Sequence, residues 1–189
     1  HIATGMPSST AADTAAIQDI LVEDGKFVSI APNLKATLEA QGQDRASVEV
    51  IDLGGKLVCP PFCDTHLHLD YVFTARKPGA VNESGTLFEG IQRWSETKAD
   101  LTVDEIKERA KIGIAKEMRH GVQFIRSHAD VTDPNLTSLK ALLELKEELK
   151  DTVTLQIVSF PQEGMYSYEG PHGESGADLV EEGLKMGAD

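Results

Sequence analysis

VCPPFCDTHLHLD, residues 58–70, opens on an apolar strand start and a stiff proline pair and runs into two histidines one residue apart. Side chains alternate along a strand, so His66 and His68 face one way and Leu67 the opposite layer. Two imidazoles so placed can converge on one metal at the C-terminal end of the strand, and imidazole suits zinc or ferrous iron. A catalytic site needs further protein ligands and a position for water, which this stretch does not supply. His-x-His spacing also fits two histidines hydrogen-bonded at a loop. A structural zinc site made of Cys59, Cys63, His66 and His68 fits less well. Strand parity from Phe62 puts Asp64, His66 and His68 on one face and Cys63 on the other, Cys59 lies across two prolines, and the usual knuckle spacings are missing.

Upstream, IQDILVEDGKFVSIAP (17–32) alternates apolar and polar residues on both sides of Asp24-Gly25, a pair suited to a tight hairpin turn. A polar stretch follows around Gln41 to Arg45, and VEVIDLGGKLVCPPF (48–62) adds two strand-like runs around Gly54-Gly55. These predict a small β domain over residues 1–60. Downstream, strands alternate with helices. Helices are expected over Thr86–Lys98 and Thr102–His120. In the second, Thr102 and Glu105 have capping-box spacing, Val103, Ile106, Ala110, Ile114 and Met118 share a face, and Gly121 stands at the C-terminal cap. VQFIRSHADV and TVTLQIVSF read as strands. DPNLTSLKALLELKEELK reads as a helix opening at Asp133-Pro134, and ADLVEEGLKMG as another. In the former, Leu136, Leu139, Leu142, Leu143 and Leu149 form a core face and Glu144–Glu148 a solvated one. The alternation predicts an α/β fold with a parallel sheet over residues 61–189. Three strand-plus-helix units fall short of the about 250 residues of a (β/α)8 barrel. The expected architecture is therefore the first part of such a barrel, with a free-standing three-stranded α/β domain as the alternative.

The composition narrows the partners. Lys and Arg number 18 against 31 Asp and Glu, a net charge of −13, which repels a nucleic-acid backbone. No apolar run approaches the roughly 20 residues of a membrane span. Residues 1–16 lack the charged start and apolar stretch of a signal peptide. Two cysteines are too few for a disulfide framework. A cytoplasmic enzyme acting on a small molecule is expected, with no membrane or polymeric nucleic-acid partner and with homo-oligomerisation open.

Other residues divide into site candidates and structural ones. Arg126, His128 and Asp130 share one parity, so His128 is either a partner of the site, behind a ligand or against substrate, or a histidine satisfied by neighbouring carboxylates. His120 sits where a helix dipole favours positive charge, and His172 lies in a polar loop. Trp94 and Phe88 read as helix packing. Gln162 follows a strand and Pro161, which places it at the C-terminal ends of the strands.

PPFCDTHLHLD, SGTLFEGIQRW (84–94), IRSHADV (125–131) and FPQEG (160–164), in this order, resemble segments of the bacterial cytosine deaminases of the amidohydrolase superfamily. The resemblance runs from about Ile17 to Asp189. It implies a β-sandwich-like small domain beside a distorted (β/α)8 barrel with one divalent metal, zinc or iron(II), held in part by His66 and His68. It also implies that Gln162 hydrogen-bonds the pyrimidine and that Leu87 lines the substrate pocket. The third histidine ligand, the aspartate ligand, the general acid/base glutamate and a further active-site histidine would follow Asp189, leaving no catalytic residue within this segment. The implied reaction is hydrolytic deamination of cytosine to uracil and ammonia. The same chemistry on creatinine, isocytosine, isoguanine or an s-triazine is the neighbouring alternative, and an inactive binding protein on the same fold is the alternative from another class. The 189-residue chain by itself is expected to be inactive, and chelator-sensitive ammonia release by the purified chain would overturn that expectation.

Overall fold

A computed structural model describes residues 17–42 and 48–189, so residues 1–16 and most of the polar stretch after Gln41 lie outside the described residues. The chain forms two compact units, His1–Pro60 and Pro61–Asp189. In the first, β1 (Asp19–Glu23) and β2 (Lys26–Ala31) make the expected antiparallel hairpin, with Glu23 opposite Lys26 and an irregularity between Leu21 and Val22. Its turn residues Asp24 and Gly25 have φ of 49° and 72°, the left-handed pair that matches the twist of two strands joined by two residues. A short helix, α1 (Leu34–Ala40), follows. The two runs around Gly54-Gly55 do not become ladder strands among the described residues. Gly54-Gly55 is a turn in which the Gly54 N–H donates to the Asp52 carboxylate at 2.8 Å, and Val50, Ile51, Leu53 and Leu57 stay exposed. Val58 forms only an isolated bridge, and alternation alone does not make a strand without a continuous ladder to pair its main-chain groups.

The second unit holds β3 (Phe62–Leu67), α2 (Leu87–Lys98), α3 (Val103–Arg119), β4 (Val122–Asp130), α4 (Thr137–Glu148), β5 (Thr154–Phe160) and α5 (Gly176–Met186). The sheet order is β3-β4-β5, all parallel, so the strand ends with His66, His128 and Phe160 lie on one side. Ile106, Ala110 and Ile114 of α3 join Ile125 and Ala129 of β4, Leu139, Leu142 and Leu145 of α4, and Leu155 and Ile157 of β5 in one buried cluster. No helix among the described residues is long and apolar enough to cross a membrane.

Three local readings change. Asp133-Pro134 forms a turn, and α4 begins at Thr137; the Asp133 carboxylate still caps it, accepting the N–H groups of Asn135 and Thr137 at 3.0 and 2.9 Å. The Glu144–Glu148 stretch is solvated on one side only. Leu145 within it is fully buried, and Glu144 and Glu148 pair with Lys107 of α3 at 2.7 and 2.5 Å. Phe88 is 82% exposed, so it does not pack into the core, whereas Trp94 is buried.

Ser175 starts α5 with a reciprocal capping box to Asp178, and Ala177 N–H donates to the Met165 carbonyl at 2.9 Å. A Cβ on Gly176 would collide with the main-chain carbonyl of Gly164. Gly176→Ala should therefore cost about 1–3 kcal/mol of stability through overpacking, read as a lower urea midpoint with unchanged slope.

Candidate functional site

The histidine segment leaves the ladder just where it becomes chemically interesting. The β3–β4 register breaks between Asp64 and Leu67, and His68 stands one residue past the strand. Side chains then take over from the ladder. Leu69 N–H donates to the buried Ser127 hydroxyl at 3.0 Å, and Asp130 N–H donates to the buried Asp70 carboxylate at 2.9 Å. His68 Nδ1 lies 3.0 Å from the His128 carbonyl. A carbonyl only accepts, so Nδ1 carries the proton and Nε2 keeps its lone pair, the usual arrangement behind a metal-binding imidazole.

The ring centroids of His66 and His68 are 5.3 Å apart, and His128 stacks on His66 at 4.2 Å. The structure thus groups three histidines. Burial lowers the His68 pKa most, with the neighbouring histidines adding to it and the His128 carbonyl opposing it. Burial also lowers His128, helped by the charge of His66. A lowered pKa keeps an imidazole neutral and able to ligate. Among the described residues no carboxylate pairs with His128: its buried Nδ1 has no hydrogen-bond partner, and the hydrogen bond that holds its pKa up against burial is to the Leu67 main chain. Among the described residues no group of three or more His, Cys, Asp or Glu side chains is arranged to hold a metal, and Cys59 and Cys63 are both exposed and free.

A cavity of about 430 Å³ opens beside the histidines, lined by His66, His68, Tyr71, Asn82, Arg93 and Trp94 among others. Tyr71 stacks between His68 and Trp94, at 4.9 and 4.8 Å. Arg109 of α3 fixes the loop below by donating to the carbonyls of Val72 and Asp70 at 2.6 and 3.0 Å. Leu87, at the first position of α2, is exposed and outside this lining.

Asp130 and Asp70 were not singled out by sequence reading, although parity placed Asp130 with His128. Asp130 is buried; its Oδ2 accepts from Trp94 Nε1 at 2.7 Å and Lys98 Nζ at 3.1 Å, and its Oδ1 from the Thr132 N–H and hydroxyl at 2.8 and 2.6 Å. Trp94 and Lys98 are four residues apart on one face of α2, a spacing that could have flagged the pair. Burial pushes the Asp70 carboxyl up to about 7, against the opposing hydrogen bond from Asp130 N–H. Gln162 sits at the end of β5, where its N–H reaches Asp130 Oδ1 at 3.4 Å.

A model of the amidohydrolase family matches residues 49–183. The chain belongs to the amidohydrolase family. It is 30% identical to the N-isopropylammelide isopropyl amidohydrolase of Pseudomonas sp. (strain ADP), over 92% of this chain and 40% of that one. It is 28% identical to the pterin deaminase of Rhizobium rhizogenes, over 78% and 32%. Among solved structures, 5-methylcytosine deaminase from Klebsiella pneumoniae, liganded with phosphonocytosine, superposes with a TM-score of 0.75 at 40% identity, covering 92% of this chain and 39% of that one. N-isopropylammelide isopropylaminohydrolase from Burkholderia multivorans gives 0.64 at 25%, covering 93% and 41%. The chain thus spans about a third to two fifths of the length of these relatives.

In this amidohydrolase chain the SGTLFEG stretch builds the entry to α2. The Thr86 side chain accepts the Glu89 N–H, and the Glu89 carboxylate reaches back to the N–H groups of Ser84 and Glu83 at 2.6 and 3.1 Å. The Ser84 side chain, then the Ser84 and Glu83 main chain, draw the Glu89 carboxyl from 4.5 to about 2. A depressed carboxyl pKa contributes stability above its ordinary value that is lost as pH falls through the folded one. A carboxyl-detected NMR titration should find the Glu89 midpoint near 2, with the order of residues 82–86 lost over the same range; a midpoint at the ordinary value would remove the cap.

Proposed function

We propose that this chain carries the first part of the active site of a metal-dependent hydrolase that deaminates cytosine, or a close relative such as 5-methylcytosine, to the corresponding oxo ring and ammonia. The observation that carries this reading is the histidine pair at the end of β3, with His68 oriented through the His128 carbonyl, in a chain 40% identical to a 5-methylcytosine deaminase. His66 and His68 suit a divalent metal, zinc or iron(II): both rings are on one side, and His68 presents Nε2 from a neutral, oriented ring. They are half of a ligand set, and the remaining ligands and the acid/base carboxylate come from outside the described residues. When bound, the metal supplies the Lewis acidity that activates water toward the amino-bearing ring carbon.

The chain's own contribution is to bind and orient the ring. The Gln162 amide can donate to a ring carbonyl and accept from a ring N–H at once. Next to the metal ligands, His128 stacks on His66 and offers a second contact through its ring, its unpaired Nδ1 being buried. Leu87 lies outside the cavity lined by the histidines, and its exposed apolar side chain at the start of α2 would border the pocket only in the completed site. The whole barrel, of which β3, β4 and β5 would be the first three strands, belongs to this reading as well. An s-triazine is the second substrate class, favoured by 30% identity to an N-isopropylammelide hydrolase over nearly the whole chain.

The test uses the protein extended to the length of its relatives. His66→Ala and His68→Ala should each remove most metal together with activity, whereas His128→Ala should retain metal, because His68 bonds to the main chain of residue 128. Gln162→Ala should retain metal and lose catalytic efficiency toward cytosine, by roughly 1–3 kcal/mol for each buried hydrogen bond lost. Elemental analysis and ammonia release across cytosine, 5-methylcytosine and triazine rings check these outcomes. Full metal in the His66, His68 double variant would refute the ligands, and unchanged efficiency in Gln162→Ala would remove Gln162 from the site.

A further inference from the structure

We propose that Lys98 is a positioning residue that locks the loop carrying Gln162 to the cavity wall formed by α2; the consequence for substrate rests on the reading of Gln162 above. Lys98 closes the last turn of α2, and its ammonium is nearly buried. It donates to Asp130 Oδ2 at 3.1 Å and Thr132 Oγ1 at 3.0 Å, both at the exit of β4, and to Glu163 Oε1 at 2.5 Å in the loop after β5. Among the described residues no other cation pairs with Asp130 or Glu163. One charge therefore joins three elements that lie far apart in sequence.

Gln162 stands between two of the held points. Its N–H reaches Asp130 Oδ1, and the next side chain, Glu163, accepts from Lys98 and from Ser95 Oγ at 2.9 Å. The Glu163 carbonyl accepts the Ser167 hydroxyl at 2.8 Å, which tightens the loop on its far side. These bonds use the Gln162 main-chain N–H and not its side-chain amide, so the side-chain amide stays available to a ligand. On the helix, Gly90, Arg93, Trp94 and Thr97 line the cavity, and Lys98 is the next residue. Trp94 donates to the same Asp130 oxygen as Lys98. The cavity wall and the Gln162 loop are thus fastened to one carboxylate, and a shift of α2 moves both.

The chain contains a single tryptophan, so its fluorescence reports on the Asp130 node, while amide hydrogen exchange reports on the loop. The 189-residue chain is compared with Glu163→Ala, Lys98→Met and Lys98→Arg. Glu163→Ala cuts only the loop arm; it should speed exchange at the amides of Gln162, Glu163 and Gly164 about tenfold or more and leave Trp94 emission unchanged. Lys98→Met should speed the same exchange and also move Trp94 emission to longer wavelength, and Lys98→Arg should restore both toward wild type. Wild-type exchange at these amides in Glu163→Ala would overturn the lock, as would wild-type emission and exchange in Lys98→Met. Should Lys98→Met not fold, Glu163→Ala and Ser95→Ala decide together, since Glu163 is only partly buried and accepts from both Lys98 and Ser95: fast exchange in Glu163→Ala with wild-type exchange in Ser95→Ala assigns the lock to Lys98, and equally fast exchange in both overturns it. Metal content of the His66 and His68 variants tests the hydrolase reading separately, so either idea can fail without the other.

Discussion

A carboxylate with little water around it must be given donors, because removing its charge from solvent is otherwise prohibitive. Asp130 is such a group, and the elements at the strand ends are arranged around it. α2 supplies an indole N–H and an ammonium, the exit of β4 a main-chain N–H and a hydroxyl, and the loop after β5 another N–H. Its own N–H is spent on Asp70, which ties the loop after β3 into the same arrangement. The apolar cluster between sheet and helices holds the strands in place, but their C-terminal ends are held by polar bonds whose directions matter.

The histidines depend on that arrangement without taking part in it. Asp70 and Ser127 carry the chain past the broken register of β3, and His68 thereby meets the carbonyl of His128. Because that partner is main chain, the orientation of His68 survives any side chain at 128. The His128 ring is then free to stack on His66 with an unpaired nitrogen. A family that acts on different rings can keep such a core and vary what surrounds it. The similar proteins include a 5-methylcytosine deaminase, a pterin deaminase and an N-isopropylammelide hydrolase, which are named for different rings.

The first unit follows a different logic. Its hairpin is specified locally by the left-handed pair Asp24-Gly25, yet Phe27, Val28 and Ile30 remain exposed, as do Val50, Ile51 and Leu57. Local turn chemistry forms a two-stranded ribbon readily, whereas a sheet with a buried face needs further strands. The strand-like runs after residue 48 have the composition for it but form no ladder among the described residues beyond a single bridge at Val58.

The sequence by itself determined the parallel α/β alternation, the limits of α2, α3 and α5 to within a few residues, and the common side of His66 and His68. These follow from periods of two and 3.6 residues and from caps within one turn of the helix they start. Membership of the amidohydrolase family was legible for the same reason, since the resemblance was carried by contiguous segments such as PPFCDTHLHLD, SGTLFEGIQRW, IRSHADV and FPQEG. Tertiary structure alone decided that His128 joins the pair through its carbonyl and ring, that Phe88 stays exposed while Trp94 is buried, and that Lys98 bridges Asp130 and Glu163. Those partners lie 32 to 65 residues apart. No local period relates residues at such distances; they meet only because parallel strands bring their C-terminal ends to one side of the sheet, where a buried charge must find its donors.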